Sequence, residues 1–129
     1  MKLMKITPEG TFSIVETTRE FLLNTCHREI GCTCIETPQT MLNHRGLQLI
    51  VDESGLLKED LKVNLLPWYW YSMFHPDAPI VGTVLIGRID RVGKYRELDI
   101  VGLTDRDIDI LKELETSAAA AYAEAVLNR

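Results

Sequence analysis

No apolar run in this chain reaches the ~18 residues needed to cross a bilayer as a helix, so the sequence gives no membrane span. The N-terminus, Met1-Lys2-Leu3-Met4-Lys5, alternates like a strand. It has neither the apolar stretch nor the small-residue cleavage site of a secretory leader. Cysteine is scarce and odd in number, with only Cys26, Cys32 and Cys34. That argues against a disulfide framework and for a reducing, cytoplasmic setting. The phosphate-cradling and nucleophile motifs are missing as well: there is no P-loop, no G-x-G-x-x-G and no G-x-S-x-G. Positive charge is the minority sign, 14 Lys and Arg against 19 Asp and Glu, for a net charge of −5. General nucleic-acid binding depends on neutralising phosphates with Lys and Arg, and this balance argues against it.

What remains is an ordinary globular composition, 46% hydrophobic and 26% charged. At 129 residues the chain reads as one domain with a core large enough to need no staple or metal. Residues 2–6 and 11–15 read as a β-hairpin around Thr7-Pro8-Glu9-Gly10, because Pro fixes φ and Gly allows a positive one. A helix is expected from about Thr18 to Glu29, capped by Thr17 or Thr18 and ended by Gly31. Residues 32–37 read as a strand, 38–46 as a loop, and 47–52 as a strand closed by Glu53-Ser54-Gly55, with Gly in a left-handed turn position. A short helix is expected after Asn64, with Pro67 in its first turn. Residues 80–87 are almost wholly apolar, as a central strand covered on both faces would be. A ragged strand pair over about 88–102 follows. The last helix opens at Thr104, with Asp107 completing a capping box and Ile108, Leu111, Leu114, Ala118 and Tyr122 on one face. The expected fold is therefore α+β: a mainly antiparallel sheet of five or six strands, one N-terminal helix, a short aromatic helix and a long C-terminal helix.

Five of the nine aromatic residues fall in one window, Trp68-Tyr69-Trp70-Tyr71-Ser72-Met73-Phe74. Side chains alternate on a strand and fan out by about 100° per residue on a helix. Four consecutive large aromatics therefore cannot all enter one core. The window reads either as core plus subunit interface, where Trp, Tyr and Met are enriched, or as a platform for stacking a base. Charge is segregated just beyond it. Arg88, Arg91, Lys94 and Arg96 are opposed only by Asp90, whereas Glu97 to Glu115 is strongly acidic. These read either as two solvated faces that offset each other or as a small anion site on an acidic body.

Other constellations carry less. Cys26, His27, Cys32, Cys34, His44 and His75 are metal-binding residue types without paired zinc spacing, and Cys32 and Cys34 would share one strand face. Adjacent Cys26 and His27 face different ways on a helix and make a poor nucleophile–base pair. Asp52 and Glu53 fit a turn, and Asp105, Asp107 and Asp109 fit dipole-complementing caps. No catalytic residues, metal or cofactor are expected, and the chain reads as non-enzymatic.

The order of these pieces resembles a domain-of-unknown-function family of small proteins from bacteriophages and other bacterial mobile elements. The resemblance rests on Lys5-Ile6-Thr7-Pro8-Glu9-Gly10, on Val51-Asp52-Glu53-Ser54-Gly55-Leu56-Leu57-Lys58, and on Asn64 before a short helix. It continues through Ile80-Val81-Gly82-Thr83-Val84-Leu85-Ile86-Gly87 and Gly102-Leu103-Thr104-Asp105-Arg106-Asp107-Ile108. It implies an accessory gene in a bacterial host and supplies no catalytic residues. The aromatic window and the Ala-rich extension of the last helix depart from the family pattern and read as interaction surface. Two functions follow as expectations. The first is an anti-defence protein that sequesters a small nucleotide signal, with Trp68, Trp70 and Tyr71 stacking the base and Arg88, Arg91 and Arg96 holding phosphate. The second is an acidic inhibitor that binds a host restriction or CRISPR enzyme. A homo-oligomer, most simply a two-fold dimer, is expected in either case. The two functions make different demands. Sequestration needs arginines inside a concave pocket beside the aromatics, and inhibition needs an apolar patch rimmed by acids.

Overall fold

Lys2–Ile6 (β1) and Phe12–Glu16 (β2) form an antiparallel hairpin in unbroken register, from Lys2 opposite Glu16 to Ile6 opposite Phe12. Its turn closes by a hydrogen bond from the Gly10 N–H to the Thr7 carbonyl (2.9 Å), with Gly10 at φ 85°. The computed structural model describes residues 1–90 and 99–127 of the chain. After the hairpin come Leu22–Ile30 (α1), Ile35–Glu36 (β3), Leu47–Asp52 (β4), Leu65–Ser72 (α2), Val84–Asp90 (β5), Asp99–Val101 (β6) and Asp105–Leu127 (α3). Short 3-10 turns span Met41–Arg45 and Gly55–Leu57. The class is α+β, with a six-stranded sheet whose pairings are all antiparallel among the described residues.

The sheet order is β2-β1-β5-β4-β3, with β6 also on β5. Arg88 pairs with both Leu47 of β4 and Val101 of β6, while Leu85 and Ile86 pair with β4 and β1. A strand has two edges, so β1 and β6 must share the edge of β5 that β4 leaves free. They lie end to end along it, and the Leu103 N–H donates to the Lys2 carbonyl (2.7 Å) where they meet. Gly87 sits under this line. A Cβ there would come within 2.5 Å of Ile100 Cγ2 and 3.2 Å of Leu3 Cδ2, so only glycine lets the two strands close over β5.

Alternation along the strands divides the core into two layers. Leu3, Ile50 and Leu85 face α1, where they pack with Cys26, Ile30 and Cys32. Met4, Ile6, Leu49, Val84 and Ile86 face the other way, onto Trp70 of α2 and Ile108 and Leu111 of α3. Both faces are covered, which is why β4 and the first half of β5 carry almost no exposed side chain.

Several sequence expectations are corrected. Helix α1 begins at Leu22, because Thr17 and Thr18 do not cap it: the Thr17 hydroxyl bonds the Thr25 hydroxyl (2.7 Å) instead. Its end is as read, with Gly31 left-handed and its N–H on the His27 carbonyl (2.9 Å). The strand expected over 32–37 shrinks to Ile35–Glu36, and Cys32 is buried while Cys34 is exposed, so the two do not share a strand face. The loop over 38–46 contains a 3-10 turn closed by a Thr40/Asn43 capping box. Gly55 is not left-handed; its place is a close approach, where a Cβ would sit 3.0 Å from Val81 Cγ2. The central strand begins at Val84, because Gly82 turns the chain at φ 78° and leaves only a Val63–Val81 bridge before it.

Asn64 ties these segments together. It is buried, and its Nδ2 donates to the carbonyls of Ile6 (3.0 Å) and Gly82 (2.9 Å), while its own N–H reaches the Ile80 carbonyl (2.8 Å). Both side-chain hydrogens are thus used to join β1 to the lead-in of β5 at the point where α2 starts. Removing a buried donor strands its acceptors, so Asn64→Ala is expected to cost about 2 kcal/mol. Urea unfolding followed by circular dichroism would measure it as a lower midpoint at unchanged slope.

Candidate functional site

The aromatic window forms α2, a two-turn helix, and the 100° fan sends its rings to different places. Trp70 is only 3% exposed and belongs to the core. Trp68 and Tyr71 are half-buried against the same layer. The Trp68 Nε1 is buried with no hydrogen-bond partner among the described residues. Tyr71 stacks on His75, with ring centroids 4.7 Å apart and 27° between planes. Burial and, secondarily, the charge of Glu36 raise the Tyr71 hydroxyl above its usual pKa. Tyr69, absent from the expected stacking set, is the most exposed ring of the window, at 64%, with Phe74 next at 39%. The signal that would have found it is helical spacing: Leu65 and Tyr69 lie four apart and share one face, and Leu65 is also exposed.

Arg88 stands at the end of the buried part of β5, on the α3 side of the sheet. Its Nε donates to Asp107 Oδ2 (2.8 Å) and its Nη2 to Asp107 Oδ1 (2.5 Å), a bidentate pair. Asp107 Oδ2 also accepts from the Thr104 N–H (2.9 Å), and the Asp107 N–H donates to the Thr104 hydroxyl (3.1 Å). The capping box read from the sequence is therefore present, and the same carboxylate anchors α3 to the sheet. Gly46 leaves room for the guanidinium, since a Cβ there would lie 2.9 Å from Arg88 Nη1. Arg91 and Arg96, the other expected phosphate ligands, lie outside the described residues, as does Lys94. The expected set of Trp68, Trp70, Tyr71 and Arg88 does not converge on a cleft. Trp70 has no free face because it fills the core, and the charge of Arg88 is met by Asp107 because α3 begins against it.

A wider hollow lies elsewhere, a groove of about 690 Å³ between the β1–β2 turn, α2 and the stretch of α3 around Leu114. That volume lies in the range of ligand sites. Phe12, Leu65, Leu66, Tyr69 and Leu114 make its walls, with the edge of Trp70 at its base. Glu9 and Glu115 are the charged residues among those lining it, and neither Lys nor Arg is among them. The side chains of Ala118 and Tyr122, farther along α3, lie outside the description. A second hollow of about 60 Å³ lies beside Tyr71, Glu36 and Asp52. There Asp52 accepts from the Ser54 N–H (2.9 Å) and pairs with Lys58, so it serves the turn.

The cysteines and histidines do not assemble. Among the described residues no group of three or more His, Cys, Asp or Glu is placed to hold a metal. Burial, reinforced by nearby Cys32, pushes the Cys26 thiol up to about 11, which keeps it protonated and unreactive. No described helix is long and apolar enough to cross a membrane. Set beside family models, curated proteins and solved structures, the chain matches none.

The Arg88 contact, then desolvation working against it, set the Asp107 carboxyl, and the net effect holds it at about 2. A depressed folded-state pKa contributes stability that is complete above the unfolded value near 3.8 and is lost as pH falls toward 2. The side chain is 5% exposed, so the term is little screened and is worth about 2 kcal/mol. Asp107→Asn is expected to remove most of it at neutral pH and to flatten the fall in thermal midpoint between pH 4 and about 2. Calorimetric scans of both proteins across that interval would show it.

Proposed function

We propose that this chain is a non-enzymatic binding protein whose groove takes an amphipathic, positively charged segment of a partner protein. The observation that carries the reading is the make-up of the groove: apolar walls, an exposed Leu65–Tyr69 pair on α2, and carboxylates as its only charged lining among the described residues. An apolar anchor fits between the hairpin and α2, and Lys or Arg beside it meets Glu9 and Glu115. Helix-in-groove recognition uses anchors spaced three or four residues apart, matching the i, i+4 spacing on the α2 wall. The acidic net charge favours encounter with a basic partner. Of the two functions expected from the sequence, the acidic inhibitor is the one supported. The target class is a nucleic-acid-handling enzyme of the host, whose basic segments ordinarily meet phosphate. Sequestration draws less support from the described residues, because Arg88 is paired with Asp107 and the described charged residues lining the groove are Glu9 and Glu115.

Fluorescence anisotropy with two labelled helical model peptides tests this, one of Leu and Lys and one of Leu and Glu. The Leu/Lys peptide is expected to bind, to weaken as salt rises, and to lose about tenfold or more in affinity in the Leu65→Ala/Tyr69→Ala protein. Equal binding of both peptides, or binding of neither, would overturn the reading. Thermal stabilisation by a nucleotide with quenching of Trp fluorescence would return the choice to sequestration.

A further inference from the structure

Among the described residues the outer edge of β2 is open, and its outward groups follow from the hairpin register. Met1 and Thr17 exchange both bonds: the Met1 amino group donates to the Thr17 carbonyl (2.7 Å) and the Thr17 N–H to the Met1 carbonyl (2.9 Å). The Thr7 N–H meets the Thr11 carbonyl (3.1 Å) at the other end. In an antiparallel pair, hydrogen-bonded and non-bonded positions alternate. Thr11, Ser13, Val15 and Thr17 therefore turn their backbone groups toward β1, and Phe12, Ile14 and Glu16 turn theirs outward. Among the described residues these outward groups have no partner, because β2 pairs with β1 alone and ends the sheet.

Exposed edges are usually guarded by Lys, Pro, a bulge or brevity. β3 and β6 are short, at two and three residues. β2 has five residues, Phe-Ser-Ile-Val-Glu, in register without a bulge, and its only charge is at the end. Ile14, at the centre, is 37% exposed, with its side chain on the groove face of the sheet beside Phe12.

We infer that this edge pairs with the same edge of a second copy, antiparallel about a two-fold axis through Ile14. The outward groups fall on Phe12, Ile14 and Glu16, symmetric about Ile14, so one register satisfies all of them. Ile14 then faces Ile14 of the second copy, and each Phe12 faces the opposite Glu16, so no like charges oppose. An in-sheet antiparallel pair has its two-fold normal to the sheet, so both grooves open on the same side of one continuous sheet. Each groove wall at Phe12 gains the second copy's Glu16 as a further acid on its rim. Ile14, at the centre of the pairing, is not among the residues lining the groove, so substituting it leaves the groove walls in place.

Sedimentation over a concentration series, with residue-resolved amide exchange, tests the pairing. The wild type is expected at twice the 14.7 kDa monomer mass. Amides of Phe12, Ile14 and Glu16 should exchange slowly, as those of Ser13 and Val15 do against β1. Ile14→Lys sets two ammonium groups face to face and should weaken the dimer at least about tenfold, while the circular dichroism spectrum and the protection of Ser13 and Val15 stay unchanged. Ile14→Pro removes an outward N–H that no intrachain bond uses and should act alike. A monomeric wild type would overturn the inference. So would a dimer that survives both substitutions, or one in which Phe12, Ile14 and Glu16 exchange freely.

Discussion

Strand β5 has neighbours on both edges and packed layers on both faces, and the remaining elements are arranged around that double coverage. A strand in this position has no place for a charge until it leaves the core, so it reads Val-Leu-Ile-Gly before Arg88. Gly87 is the point at which β1 and β6 meet above it, and the missing Cβ is what lets them meet. Arg88 then emerges on the α3 side, where the only inexpensive way to keep a half-buried guanidinium is a paired, hydrogen-bonded carboxylate. Asp107 supplies it while also capping α3. One carboxylate thus fixes both where α3 begins and which face of the sheet it covers, and the groove between α3 and the hairpin follows from that placement.

The aromatic helix is held in the same way. Asn64 starts α2 where β1 and the turn at Gly82 pass each other, and this sets the rotation of the helix about its axis. With that rotation, Trp70 faces the sheet, and Leu65 and Tyr69 stand along the groove. The same four aromatics rotated by one residue would bury Tyr69 or Tyr71 in place of Trp70. The groove wall is thus a by-product of how the core is filled, and its energetics are tied to those of the fold.

Groove and edge lie on neighbouring parts of one surface. Phe12 contributes its ring to the groove and its backbone to the open edge, and this links any occupant to any second copy through a single residue. Glu9 on the hairpin turn and Glu115 on α3 border the groove, while two of the basic side chains of the sheet are used within the chain. Lys5 pairs with Glu29 (2.9 Å) on the opposite face, and Arg88 pairs with Asp107.

Local chemistry alone determined much of this protein. The hairpin turn at Thr7-Pro8-Glu9-Gly10, the left-handed stop at Gly31 and the Thr104–Asp107 capping box rest on contacts within a few residues, and the strand over 47–52 shows as a local apolar run between turn signals. The α+β class was legible for the same reason, because alternation and helical spacing are local periodicities. Tertiary structure decided the rest. Which of four adjacent aromatics enters the core depends on the azimuth of α2, which Asn64 sets through partners 58 and 18 residues away. Whether Arg88 is free or paired depends on a carboxylate 19 residues on. A glycine read as a left-handed turn residue, Gly55, has an ordinary φ and sits instead in close approach to Val81. Long-range packing and pairing choose among local options that are nearly equal in energy, and no local pattern in the chain records that choice.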